Sequence, residues 1–309
     1  VIVRGRRAVF VCCDGLGRDW VNERHAPGLA ERAKAGVWCA SHGAVFPSVT
    51  RVSAASIATG CHPARHGLHG NRMGLMVDGR IQVHDVGRPD FRALMRAATG
   101  RTLWVPTLAQ RVAGDGGFIA FSNVSPGAAY FLDPDHFGHV YHRAGSFAPG
   151  GSQIEGAQAL DVSHDGAGDR AMTERFCREV IEDRAPAVAV LWLSDPDLTM
   201  HRSPLGSPAH QQALRGAEHC VDLVVRAVER QRARGEDILL LVGSDHGHES
   251  VGAAIDIEAW LAERGLAALL DRGAIAVAGQ GTSALLYATE EGAGALTGVL
   301  DAMAAEAWA

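Results

Sequence analysis

Four apolar runs of strand length punctuate the chain, and each ends in polar residues able to do chemistry. Ala8-Val9-Phe10-Val11-Cys12-Cys13 leads into Asp14-Gly15, and Gly117-Phe118-Ile119-Ala120-Phe121 into Ser122-Asn123. Ala187 to Leu193 leads into Ser194-Asp195-Pro196-Asp197, and Ile238 to Val242 into Gly243-Ser244-Asp245-His246. Runs that are apolar throughout, instead of alternating, belong in a parallel sheet covered on both faces. Between them, segments of helical period lie near 90–97, 106–114, 169–184 and 207–234; the last carries Val221, Leu223, Val224, Ala227 and Val228 on an inner stripe. The pattern predicts an α/β fold with a doubly wound, mostly parallel sheet and helices on both faces.

The stretch from about 130 to 168 is rich in Gly, His and Ser, has little periodicity, and reads as a loop or cap over the site. No internal repeat is visible, and residues 1–309 are expected to form one catalytic domain. The alanine-rich helical run from Leu296 to Ala309 brings nothing to close that domain, so the chain is expected to be incomplete at its C-terminus.

Composition changes this picture little. With 47% hydrophobic and 21% charged residues the chain is that of a globular enzyme, and a formal charge of -6 gives no footprint for a nucleic-acid polymer. Among 29 basic residues only Lys34 is lysine, and the 37 glycines fit a GC-rich bacterial genome. No run approaches the length of a membrane helix and no signal peptide is seen, so a cytoplasmic place is expected; the chain opens with Val1, which leaves room for a trimmed leader. The six cysteines show no C-x-x-C spacing and are expected to be free thiols.

In an open α/β sheet, ligands bind beyond the carboxyl ends of the strands, where Asp14, Asp197, Asp245 and His246 all fall. His201 stands four residues after Asp197, on the same side of a helical turn. Three aspartates and two histidines suit a pair of divalent metals. Each acid alone would serve equally well as a helix cap; the argument lies in their company. Thr50 is the candidate nucleophile, because Phe46-Pro47-Ser48-Val49-Thr50 turns from loop into a small-residue helix whose unpaired N–H groups welcome an anion.

Two other motifs carry less. Asp14-Gly15-Leu16-Gly17-Arg18-Asp19-Trp20 begins like a dinucleotide fingerprint, but Trp20 takes its third glycine position. Cys61-His62-Pro63-Ala64-Arg65 fits the minimal C-x-P-x-R pattern of formylglycine sulfatases, yet it is Thr50, not Cys61, that stands nine residues before Thr59-Gly60.

Taken in order, Phe46 to Thr50, Thr59-Gly60, Pro63-Ala64-Arg65-His66-Gly67-Leu68-His69-Gly70-Asn71, Asp195-Pro196-Asp197-Leu198-Thr199-Met200-His201 and Ser244-Asp245-His246-Gly247 resemble the type I phosphodiesterase/nucleotide pyrophosphatase family of the alkaline phosphatase superfamily, to which phosphonoacetate hydrolase is related. The resemblance implies two divalent ions, zinc by preference. Asp14, Thr50, Asp245 and His246 would hold one, and Asp197 and His201 would supply two of three ligands to the other. It implies a covalent phospho-enzyme intermediate on Thr50 and hydrolysis of a phosphodiester or pyrophosphate bond in a small phosphate ester or nucleotide-like substrate; no membrane partner is expected, since no run is long and apolar enough. Asn71 matches an asparagine that donates to a non-bridging phosphoryl oxygen, a neutral donor suited to a diester monoanion. Arg51, next to the nucleophile, is a second candidate substrate contact.

The chain departs from that pattern in two places. The family's remaining zinc ligand is a histidine well downstream, whereas no histidine follows His248 here. His248 itself and the cluster Asp133-Pro134-Asp135-His136-Phe137-Gly138-His139, which repeats the spacing of 195–201, are the candidates to replace it; the later copy is preferred for the site itself. Phosphonoacetate hydrolases also hold their substrate's carboxylate with lysines, and Lys34 lies upstream of the nucleophile, which disfavours that substrate. The alternatives are a phosphomonoesterase, phosphonate-ester hydrolase or sulfatase on the same scaffold, or a non-catalytic binding protein that has lost one metal site.

Overall fold

The structure is a computed structural model and describes residues 6–308; Val1 and Ala309, the ends of the expected domain, lie outside the described residues. In chain order the strands are β1 Arg6–Cys13, β2 Arg72–Val77, β3 Arg80–Asp85, β4 Phe118–Ser122, β5 His139–His142, β6 Ser146–Phe147, β7 Gln153–Ile154, β8 Val188–Leu193, β9 Asp237–Gly243, β10 Ile275–Gly279 and β11 Ala284–Ala288. The chain divides into two compact units, residues 1–67 with 103–250 and residues 68–102 with 251–309.

The first unit holds a seven-stranded sheet in the order β7-β6-β5-β4-β8-β1-β9. β5, β4, β8, β1 and β9 run parallel, and β6 and β7 turn back antiparallel at one edge. The four apolar runs form the consecutive strands β4, β8, β1 and β9, with β9 at one edge of the sheet, and β1 and β8 are in register from Ala8 opposite Val188 to Cys13 opposite Leu193. Successive side chains alternate faces. Val9, Val11 and Cys13 join Ile119, Phe121, Leu191 and Leu193 on one face, beneath the helices Gly166–Phe176 and Pro208–Arg232. The latter contributes Leu214, Val221, Val224 and Val228, each worth roughly 1.5–3 kcal/mol when fully buried. On the other face, helices Leu108–Val112 and Pro126–Phe131 lie against β4, and the helix Thr50–Thr59 packs on both.

The segment expected as a loop or cap instead supplies β5, β6 and β7 to the sheet edge. Its strands are two to four residues long and interrupted by Gly and Pro, so no apolar run announces them. All six cysteines are free. No helix among the described residues is long and apolar enough to cross a membrane.

The second unit contains two antiparallel pairs, β2 with β3 and β10 with β11. Its own core gathers Trp260, Leu261, Leu266, Ile275, Val277 and Leu296.

Candidate active site

The site grows from the carboxyl ends of β1, β8 and β9. Asp14 is the first residue past β1 and is buried; its Oδ2 accepts from the Trp192 indole Nε1 at 3.2 Å, while its Oδ1 is buried without any hydrogen-bond partner. Asp245, past β9, repeats the arrangement: Oδ1 accepts from the Gly15 N–H at 3.1 Å, and Oδ2 is buried and unpartnered. Both orphaned oxygens face one imidazole nitrogen, with His246 Nε2 at 3.4 Å from Asp14 Oδ1 and 3.2 Å from Asp245 Oδ2. Burial, then the neighbouring charges of Asp245 and Asp197, pushes the Asp14 carboxyl well up, and burial likewise raises Asp245. Two buried carboxylates, each with one oxygen outside any hydrogen bond and both turned toward one imidazole nitrogen, have the chemistry of a cation site.

Thr50 completes this group. It is the first residue of its helix, and its hydroxyl is not spent on a cap: Oγ1 lies 3.0 Å from His246 Nε2. The helix forms because Ala54, Ala55 and Ala58 let it sit close to its neighbours, and Gly60 ends it in the left-handed conformation at φ 68°. Ser53, on the same helix, donates to the Asp245 carbonyl at 3.1 Å and ties the nucleophile's helix to the β9 exit.

A second group stands beside the first. Asp197 opens a helical turn, Asp197–Met200, and its N–H donates to the Asp14 carbonyl at 3.0 Å. Its carboxylate meets His201 Nε2 at 3.3 Å through Oδ2 and His248 Nε2 at 2.6 Å through Oδ1. Burial opposes ionisation of Asp197, but hydrogen bonds from His201 and His248 outweigh it and hold the carboxyl well below the usual range. The His201 imidazole is raised by the same bond to Asp197. The His246 and His248 rings are 5.7 Å apart, which makes the two groups immediate neighbours.

Of the residues singled out in the sequence, Asp14, Thr50, Asp245 and His246 come together, as do Asp197 and His201. Asp14, Asp245 and His246 present ligand atoms within 4.8 Å of one another, and Asp197, His201 and His248 do the same. His248, which the sequence offered only as a substitute, is therefore the third member of the second group. The competing copy at 133–139 is spent locally: Asp133 accepts from the N–H groups of Phe137 and Gly138 at 3.1 and 2.7 Å. Arg51 follows Thr50 on the helix and is half-buried. Asn71 lies in the second unit, where its N–H donates to Gln280 Oε1 at 2.7 Å. Sequence reasoning missed Trp192, which orients Asp14; a lone tryptophan inside an apolar strand carries no signal beyond burial.

Parallel strands ending in two adjacent acid-and-imidazole groups beside a hydroxyl at a helix N-terminus are an arrangement suited to a phosphoester hydrolase, on an alkaline phosphatase-like fold. Residues 8–302 match the model of the family described as type I phosphodiesterase / nucleotide pyrophosphatase, and the chain belongs to that metal-dependent family. Among solved structures, it is similar to phosphonoacetate hydrolase from Sinorhizobium meliloti 1021 in complex with phosphonoacetate, at 18% identity and a TM-score of 0.63 over 93% of this chain and 70% of that one. It is also similar to murine ectonucleotide pyrophosphatase / phosphodiesterase 5. An inactive variant of that protein in complex with AMP gives 17% identity and a TM-score of 0.65 over 96% of this chain and 69% of that one. Among curated proteins no sequence match is found.

Proposed function

We propose that the protein hydrolyses phosphodiester or pyrophosphate bonds of small phosphate esters, with Thr50 as nucleophile. The observation that carries this reading is the Thr50 hydroxyl 3.0 Å from His246 Nε2, at a helix N-terminus, beside two buried carboxylate oxygens that have no donor. Asp14, Asp245, His246 and Thr50 would hold one divalent cation and Asp197, His201 and His248 a second; mixed oxygen and imidazole donors suit zinc. When bound, these ions would supply charge neutralisation at the phosphoryl oxygens and a lowered pKa for the threonine hydroxyl.

The residues themselves do the rest. The helix fixes Thr50 Oγ1 for in-line attack, and its first N–H groups lie where the phosphoryl oxygens gain charge. Attack forms the Thr50 oxygen–phosphorus bond and breaks the bond to the leaving oxygen; water then cleaves the phosphothreonine and restores the hydroxyl. The part of Asn71 rests on the motif alone: an uncharged amide suits the single negative charge of a diester. His248 gives the second group its third member, which favours the two-ion enzyme over a binding protein that has lost a site.

The test is turnover of an aryl phosphodiester together with metal analysis. Thr50→Ala is expected to lose roughly a thousandfold or more in kcat, measured in excess zinc so that a weaker first ion does not account for the loss. Asn71→Ala is expected to lower diester turnover more than monoester turnover. Equal rates for the unaltered chain and Thr50→Ala would sink the proposal.

A further inference from the structure

We propose that Asp169 is a positioning residue that sets the second cation group by fixing the exit of β8; the inference rests on the two-ion reading above. Asp169 sits in the first turn of the helix Gly166–Phe176, outside both ligand groups, and is buried. Its carboxylate takes four donor groups. Asn123 Nδ2 donates to Oδ1 at 2.9 Å, the Ser194 N–H and hydroxyl reach both oxygens at 2.9–3.1 Å, and the Asp195 N–H donates to Oδ2 at 3.0 Å.

These bonds continue directly into the site. Ser194 and Asp195 are the first residues past β8, at the place where the parallel ladder stops supplying acceptors for their N–H groups. Asp195 Oδ1 in turn accepts from the N–H and hydroxyl of Thr199 at 3.1 and 2.8 Å, closing the helical turn that opens with Asp197 and brings His201 to it. One relay therefore runs from the Asp169 carboxylate, through two backbone N–H groups and the Asp195 side chain, to the two ligands Asp197 and His201.

The seat of Asp169 is built for this. Asp165 caps its helix by accepting from the Gly168 N–H at 2.8 Å. Gly168 itself lies so close to the Ser163 carbonyl that a Cβ would fall 1.8 Å from that oxygen. The same carbonyl accepts from Asn123 Nδ2 at 3.0 Å, so the helix start, Asn123 and Asp169 are locked as one body against the strand exits. Only an acceptor-only group fits the centre of this arrangement. An asparagine there keeps the volume but turns an NH2 toward the N–H and hydroxyl donors of Ser194 and Asp195, donor against donor.

The experiment is a zinc titration of the full chain, freed of metal and read as stoichiometry and affinity, for the unaltered protein and Asp169→Asn. Asp169→Asn is expected to keep its helical content and its first ion, to bind the second ion roughly tenfold to a hundredfold more weakly, and to recover turnover in excess zinc. A merely structural role would weaken both ions alike and would not be rescued by zinc; that outcome overturns the proposal, as do two unchanged affinities. If Asp169→Asn fails to fold, Asp195→Ala, which breaks the relay one step later, is expected to show the same selective loss, and unchanged binding there overturns it. An unaltered chain that binds fewer than two ions removes the two-ion reading and this inference with it, whereas two ions in the unaltered chain with no change in the variants removes this inference alone.

Discussion

At the scale of single residues, buried histidines away from the site divide clearly from those in it. His142 is buried at the end of β5; its Nε2 donates to the Val124 carbonyl at 2.9 Å and its Nδ1 accepts from the Ala144 N–H at 3.0 Å. Both ring nitrogens are thus used by the neutral form, and a second proton on Nδ1 would oppose a backbone N–H. Burial, further helped by the Arg143 guanidinium, pulls its pKa from 6.5 down to about 4, against the opposing Val124 bond. Since the folded value is the lower one, the unfolded chain takes up its proton first as pH falls. The contribution is therefore fully present above pH 6.5 and is lost between 6.5 and 4, amounting to up to roughly 3 kcal/mol. His139, also lowered to about 4 by burial and then Arg184, adds a smaller share because it is half in water. Denaturant unfolding at pH 7 and pH 4.5 is expected to show a smaller drop for His142→Gln than for the unaltered protein; parallel drops would refute this assignment.

At the scale of elements, the site is a set of strand exits, and one glycine decides how closely two of them approach. Gly15 follows Asp14 with φ +69°, and a Cβ there would lie 3.0 Å from both the Asp197 Cβ and the His248 Cδ2. Gly15→Ala therefore combines left-handed strain of roughly 1–2 kcal/mol with pressure on two members of the second cation group. The expected result is a modest fall in melting temperature with a larger loss of the second zinc than of the first, seen by metal analysis after dialysis; retention of both ions would show that the exits tolerate the added methyl. The exits themselves were legible in the sequence. Continuous apolar runs point to β1, β4, β8 and β9, and the polar residues that end them to Asp14, Asp197 and Asp245; a covered parallel strand is apolar along its length, which accounts for β1, β4 and β8, whereas β9 lies at the sheet edge with Leu239, Leu241 and Val242 exposed. His248 and Asp169 were harder to read. His248 is two residues from His246 in sequence and joins Asp197 only because the segment after β9 folds back, while Asp169 looks like any acid in the first turn of a helix until the buried N–H groups it accepts from are seen. The strands β5 to β7 escaped for a related reason: pieces of two to four residues take their pairing from a neighbour already in place, not from their own pattern.

At the scale of the whole molecule, two compact units each carry a core, and both acid-and-imidazole groups belong to the first. That unit holds Asp14 and Asp245 buried with one oxygen apiece that no hydrogen bond answers, next to Asp197. Folding works against desolvation and mutual repulsion that a bound ion would remove, so on the proposed two-ion reading the folded state and cation binding would be thermodynamically linked. A ligand at a thousandfold excess over its Kd, bound only by the folded chain, contributes about 4 kcal/mol. In a body of 150–250 residues that corresponds to a rise in melting temperature of about 10 °C. Chelation is expected to lower the melting temperature by that order and zinc to restore it, with calcium failing to do so because imidazole ligands are poor partners for a hard cation. Trp192 offers an internal reporter, since its indole donates to the carboxylate that would take up the first ion. Zinc addition to the metal-free chain is expected to change tryptophan emission, and Trp192→Phe to abolish most of that change while zinc still raises the melting temperature. A melting temperature that ignores both chelator and zinc would mean that these carboxylates find their relief in protons instead, and the paired groups would then be no cation site at all.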